Sequence, residues 1–313
     1  MTKVLTLKQI YEASIKVGAK YDWRGQEALD EIIAQAKRDA DKPGFDKDRL
    51  FNPFGDTRIA FGDPDTKVKS ILVGMDIFPT EILLAGQMNQ IGKQVDLVLS
   101  HHTTCVNRGI FYYDDILLRH KNALAEIGVP KGKYDEAVEH WTATVRREWK
   151  MDTINTARNL DMPLFVVHTP CDVIHVKRTR DIFAQMKNAY LAEIVDELDR
   201  LKEIQLHPYE KIILYGDPKT KQGKVYNPVA GGWRPLINLF QLACEAGINT
   251  AVLVSPTEEY ITMAQKYGVN IIEVPTVSQC NYGINIMIDE LQKLAPLKIY
   301  EAQSFHRITP DQR

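Results

Sequence analysis

From Lys69 to Leu294 the chain alternates short apolar runs with amphipathic helical segments, and this alternation limits its fold more than any other feature. Ser70–Met75, Asp96–Ser100, Met162–Val167, Lys211–Tyr215, Thr250–Val254 and Asn270–Val274 are strand-sized and largely apolar. Helical patterns lie over Pro79–Gln90, with Thr80 as N-cap, and over Asp114–Ile127. Lys133–Leu160 reads as one long or two shorter helices, and Val176–Leu206 as one long charged helix. Pro235–Ala246 ends at Gly247, a C′ residue, and further helices cover Thr257–Tyr267 and Ile284–Leu294. Strands and helices in this order predict an α/β fold with largely parallel pairing.

Ahead of this region, Leu5, Ile10, Ile15 and Val17 line one face of an amphipathic entry helix, and a second helical pattern covers Gln26–Ala40. Asp41-Lys-Pro-Gly-Phe45 and Asn52-Pro-Phe-Gly-Asp56 break regular structure. At about 150 residues per domain, a chain of 313 residues has room for two. The expected division is a helical entry and loop over 1–68, a first α/β half over 69–175 with a helical insertion at 110–160, and a second half over 176–313.

Charge excludes some classes of partner. The 39 Lys and Arg against 41 Asp and Glu leave a net charge of −2, so no bulk attraction to nucleic acid or anionic membrane is expected. Lys3, Lys8, Gln9 and Glu12 interrupt the apolar positions of the N-terminus, and no apolar run approaches the ~20 residues of a membrane span. With only four cysteines, Cys105, Cys171, Cys244 and Cys280, a reducing, cytoplasmic setting is the expectation.

In open α/β sheets ligands bind beyond the carboxyl ends of the strands. The first of these ends carries Asp76, the second His101-His102-Thr-Thr-Cys105, and the third His168-Thr-Pro-Cys-Asp172. Pro275-Thr-Val-Ser-Gln-Cys280 follows the Asn270–Val274 strand. Adjacent imidazoles past a strand can serve metal ions, although an exposed loop would also carry them. His168 and Asp172 pair the usual ligands of zinc, manganese or iron, unless Asp172 is an N-cap and His168 a core residue. Asp76 either orients a ligand histidine or holds the turn before the next helix. Gly216–Lys224 lacks the glycine spacing of a phosphate loop and reads as a hairpin turn with exposed lysines. Neither G-x-G-x-x-G nor G-x-S-x-G occurs.

Ile71-Leu-Val-Gly-Met-Asp-Ile77, Asp96-Leu-Val-Leu-Ser-His-His102, His168-Thr-Pro-Cys-Asp172 and Tyr282-Gly-Ile-Asn-Ile-Met-Ile-Asp-Glu-Leu291 occur in that order. In this the chain resembles the NIF-three-like dinuclear metal-centre family, whose members are labelled homologues of a type 2 GTP cyclohydrolase I. The resemblance runs from about residue 69 to 294, and the helical insertion is similar to that of the family's longer branch. It implies two interlocked α/β halves, a metal pair in the cleft between them and a ring-shaped hexamer. It also implies metal ligands at His101, His102, His168 and Asp172.

The C-terminal motif departs from that pattern. Where the family carries a Gly-His pair and, four residues on, an acid, this chain has Pro275-Thr276 and Cys280. Two adjacent divalent ions repel, and bridging carboxylates offset the repulsion, so losing an acid favours one ion per chain. A Cys280 thiolate in the acid's place would favour zinc or iron over magnesium, with Cys105 and Cys171 in the other ligand loops. The functional expectation is a metal-dependent hydrolase acting on a small, nucleotide-like substrate. The alternative is a non-catalytic oligomeric binding or scaffold protein with a degenerate or structural metal site. No residue stands out as the catalytic group.

Overall fold

The structure is a computed structural model and describes residues 3–43, 45–103, 112–145, 151–206, 211–229 and 234–313. The chain forms two compact units. One comprises residues 1–115, 147–174 and 281–312, the other 116–146 and 175–280.

The first unit is built on a five-stranded sheet. Its strands lie in the order Lys298–Ala302, Ser70–Gly74, Leu97–Ser100, Leu164–Val166 and Arg58–Phe61. The first four run parallel and Arg58–Phe61 is antiparallel. Ile71, Leu72, Val73, Leu97, Val98, Leu99, Leu164, Phe165 and Val166 are all buried, as continuous apolar runs in central parallel strands must be. Ile77 just ahead of helix Pro79–Gln90, Ile82 and Ala85 within it, and Ile154 and Ala157 from helix Asp152–Asn159 pack in one cluster with Leu72, Val98, Leu164 and Val166.

The entry helix spans Leu7–Tyr21, capped by Thr6 in a reciprocal pair with Gln9, and buries Leu7, Ile10, Tyr11, Ser14, Ile15 and Gly18. Leu5 lies just before it, in the short strand Leu5–Thr6 that pairs with Lys67–Val68. A second helix spans Gly25–Arg38.

The second unit has a four-stranded sheet in the order Ile213–Tyr215, Asn270–Glu273, Thr250–Leu253 and Val225–Tyr226. Its core joins Tyr226, Ala251, Leu253 and Ile271 to Leu239, Phe240 and Tyr260 from helices Ile237–Glu245 and Glu258–Tyr267. Leu124, Tyr134 and Val138, from helices Tyr112–Glu126 and Lys131–Val145, complete it.

Several expectations change. The helix from Pro79 is capped through Glu81, whose Oε2 accepts from the Phe78 N–H at 2.8 Å and from the Thr80 hydroxyl at 2.9 Å. Thr80 is therefore inside the helix rather than its cap. The long charged helix is three pieces, Thr169–Gln185, Leu191–Asp199 and Lys202–Gln205. At the first break Tyr190 is extended, bridges to Lys221, and has its N–H held by the Glu193 carboxylate. Gly216–Lys224 is not a hairpin turn, because the strands on either side of it are the two opposite edges of the four-stranded sheet. The last long helix begins at Thr276 rather than Ile284, which places Cys280 on a helix and not in a loop. Among the described residues no helix is long and apolar enough to cross a membrane.

Candidate metal centre

Three parallel strands of the first unit end in the residues singled out by the sequence. Past Ser70–Gly74 and Leu97–Ser100 the backbone stays paired for two more residues. The His101 N–H donates to the Gly74 carbonyl at 3.0 Å and the His102 N–H to the Met75 carbonyl at 2.7 Å. The Ser100 hydroxyl donates to the His102 carbonyl at 2.7 Å and fixes the bend. With the strand finished, the two imidazoles lie side by side, ring centroids 4.8 Å apart, instead of on opposite faces.

His168 leaves the strand Leu164–Val166 and starts the helix Thr169–Gln185, its carbonyl accepting the N–H groups of Cys171 at 2.9 Å and Asp172 at 3.1 Å. Asp172 therefore lies in the first turn, where the helix dipole favours a carboxylate.

The side chains of His101, His168 and Asp172 are completely buried. Asp172 divides its two oxygens between the imidazoles: Oδ1 is 3.4 Å from His101 Nε2 and Oδ2 is 3.5 Å from His168 Nε2. The opposite nitrogens are already engaged. His101 Nδ1 lies 3.1 Å from the Val167 carbonyl, which can only accept, so Nδ1 carries a proton. His168 Nδ1 lies 2.8 Å from Asp56 Oδ2, again an acceptor. In the neutral imidazoles both Nε2 atoms are thus lone-pair nitrogens, and His101 Nε2 makes no hydrogen bond among the described residues.

This arrangement fits a metal ion. Two imidazole lone pairs and a carboxylate converge in a buried place, one ligand atom from each lying within 4.8 Å of the others. Ligands at ~2.0–2.1 Å in tetrahedral array are about 3.4 Å apart, which is the spacing Asp172 shows to both rings. Of the four residues expected in one coordination sphere, these three form one group. His102 stands beside them, its ring centroid 5.8 Å from that of His168 and its side chain 16% exposed. Asp76 is where a histidine-orienting carboxylate was expected, with Oδ1 3.1 Å from His102 Nδ1.

Asp56 escaped the sequence reading. Besides His168, its carboxylate accepts from the Thr169 hydroxyl at 2.6 Å and from the Thr169 N–H at 3.3 Å. Its neighbour Thr57 takes the His168 N–H at 3.2 Å through its hydroxyl oxygen. These contacts hold the His168–Thr169 end of the turn. The sequence carried little signal there: a polar Asp-Thr pair abuts the short Arg58–Phe61 run, which the structure makes a strand against Leu164–Val166.

Cys280 is buried in the second unit, in the second turn of the helix that Thr276 begins. Cys105 lies outside the described residues.

No family model and no curated protein matches the chain. Its fold is similar to that of a solved NIF3 superfamily protein. The NIF3 superfamily protein from Sphaerobacter thermophilus matches it with a TM-score of 0.67 at 19% identity, covering 88% of this chain and 98% of that one. Reduced HcgD from Methanocaldococcus jannaschii gives 0.49 at 13% identity, covering 87% and 96% of the two chains. A Bacillus cereus protein related to NIF3 gives 0.47 at 10%, covering 96% and 98%.

Proposed function

We propose that this chain is a NIF-three-like metal-binding protein that holds one divalent ion and acts as a hydrolase on a small, nucleotide-like substrate. The observation that supports it is the convergence of His101 Nε2, His168 Nε2 and the Asp172 carboxylate, each histidine having its other nitrogen engaged by an acceptor. A bound ion would supply Lewis acidity toward a water or a substrate oxygen. The chain's own part is to position and to exclude solvent. Asp56 and the Val167 carbonyl fix the ring planes, and full burial keeps water from competing for the ligand atoms. His102, oriented by Asp76 and partly exposed, is the residue of this group best placed to meet a substrate.

The proposal extends to Cys280 as a thiolate ligand in place of an acid, which makes the ion zinc or iron rather than magnesium. It also extends to assembly as a homohexamer in the cytoplasm. A second reading, a non-catalytic oligomeric scaffold with a structural ion, draws on the replacement of the family's histidine and acid by Thr276 and Cys280.

The test combines elemental analysis with turnover. Protein as purified, chelator-treated and reloaded with zinc or ferrous iron is offered nucleotides and small phosphodiesters. Hydrolysis that is lost on chelation and restored on reloading supports the enzyme. A stoichiometric ion without turnover of any of them favours the scaffold, and protein that takes up no ion under any loading overturns both.

A further inference from the structure

Two glycines press on the ligand turn from different helices. Gly18 sits in the helix Leu7–Tyr21, where a Cβ would fall 2.7 Å from Pro170 Cβ and 2.9 Å from Pro170 Cα and Phe54 Cε2. Gly283 sits in the helix Thr276–Gln292, where a Cβ would fall 2.9 Å from the carbonyl carbon of Cys171 and closer still to its oxygen. Both separations are below any normal carbon contact, so neither position can take a side chain unless something moves. Pro170 and Cys171 lie, with Thr169, between His168 and Asp172, and all of these are in the first unit. Glycine weakens a helix interior, so its use at these two contacts calls for a reason other than helix formation.

At Gly283 the glycine's own helix is fixed from the other side, so an added side chain loads the turn. The Asn281 amide donates to the Ser304 carbonyl at 2.9 Å and its oxygen accepts the His306 N–H at 2.7 Å. The Asn285 amide donates to the His306 carbonyl at 2.8 Å, and its oxygen takes the Ile308 N–H at 2.9 Å and Arg307 at 2.8 Å. Gly283 lies between these two anchors. A methyl group there would thrust against the Cys171 carbonyl and carry the adjacent Asp172 with it.

We propose that Gly18 and Gly283 are positioning residues of the metal centre: together they seat the Pro170-Cys171 turn and so set the separation of the His168 and Asp172 ligand atoms. This rests on the metal-binding reading above.

The test uses the full chain with Gly283→Ala, Gly18→Ala and, as control, Gly132→Ala, where a Cβ meets nothing within 4 Å. Cobalt(II) affinity by chelator competition and the cobalt visible spectrum are measured, together with the His168 imidazole ¹⁵N shifts of the metal-free proteins. Folded Gly283→Ala and Gly18→Ala should bind cobalt at least tenfold more weakly, with a changed spectrum and displaced His168 shifts, while Gly132→Ala matches wild type. Wild-type affinity, spectrum and shifts in either folded variant overturn the proposal. If wild type binds no cobalt, the metal reading fails, and the His168 shifts alone decide whether the glycines seat the turn. If both variants fail to fold, the glycines serve the fold and not the centre, and the proposal falls.

Discussion

Asp56 Oδ2 lies 2.8 Å from Nδ1 of His168, a residue 112 positions further along the chain, and both side chains are fully buried. The contact fixes the ring and turns Nε2 toward Asp172, as the nitrogen that would take a metal ion. Carboxylates behind metal-bound histidines raise ligand basicity, and losing one costs roughly 10- to 100-fold in metal affinity. Asp56→Asn should therefore weaken zinc binding by about that factor in a chelator competition, with a smaller effect on the unfolding midpoint. Unchanged affinity would remove Asp56 from the centre.

A second prediction concerns pH. Burial, assisted by the neighbouring Arg119 charge, depresses the His120 pKa from 6.5 to about 3. Between those values the unfolded chain binds a proton that the folded one does not, so stability falls as pH drops from 6.5 toward 3 and this contribution is constant above that window. In His120→Gln the slope of unfolding free energy against pH over that window should flatten by about one proton, measured by urea titration at a series of pH values. An unchanged slope would show that His120 is not buried in neutral form.

Thiol reactivity offers a third check. Burial pushes the Cys244 thiol up to about 12, far above the pH at which alkylation is usually run. The thiolate is the nucleophile, so Cys244 should stay unmodified in native protein treated with iodoacetamide at pH 8 and react after unfolding, as read by peptide mass spectrometry. Rapid native labelling would contradict the packing of helix Ile237–Glu245.

The first unit was legible from the sequence where its strands are central. Ile71, Val98 and Phe165 sit in runs buried on both faces, so periodicity and length alone located the strands and the His101, His102 and His168 positions past their ends. The edge strands were not legible. Arg58–Phe61 is only half-buried throughout, and Lys298–Ala302 mixes exposed and buried positions, so neither stands out from loop. Missing Arg58–Phe61 meant missing Asp56, because only strand pairing brings residues 112 apart together. The break at Tyr190 was invisible for a related reason: no glycine or proline marks it, and the contacts that make it come from the segment around Thr220 and Lys221.

The metal content of the purified protein tests the buried centre most directly. One zinc or iron ion per chain is expected by elemental analysis, retained through gel filtration and lost in Asp172→Asn and His168→Gln variants that remain folded by circular dichroism. Wild-type protein that retains no ion after exposure to zinc or ferrous iron, or folded variants that keep the wild-type amount, would contradict it. Two stoichiometric ions per chain would contradict the single-ion centre and direct the search for further ligands to Glu258, Glu259 and Glu273.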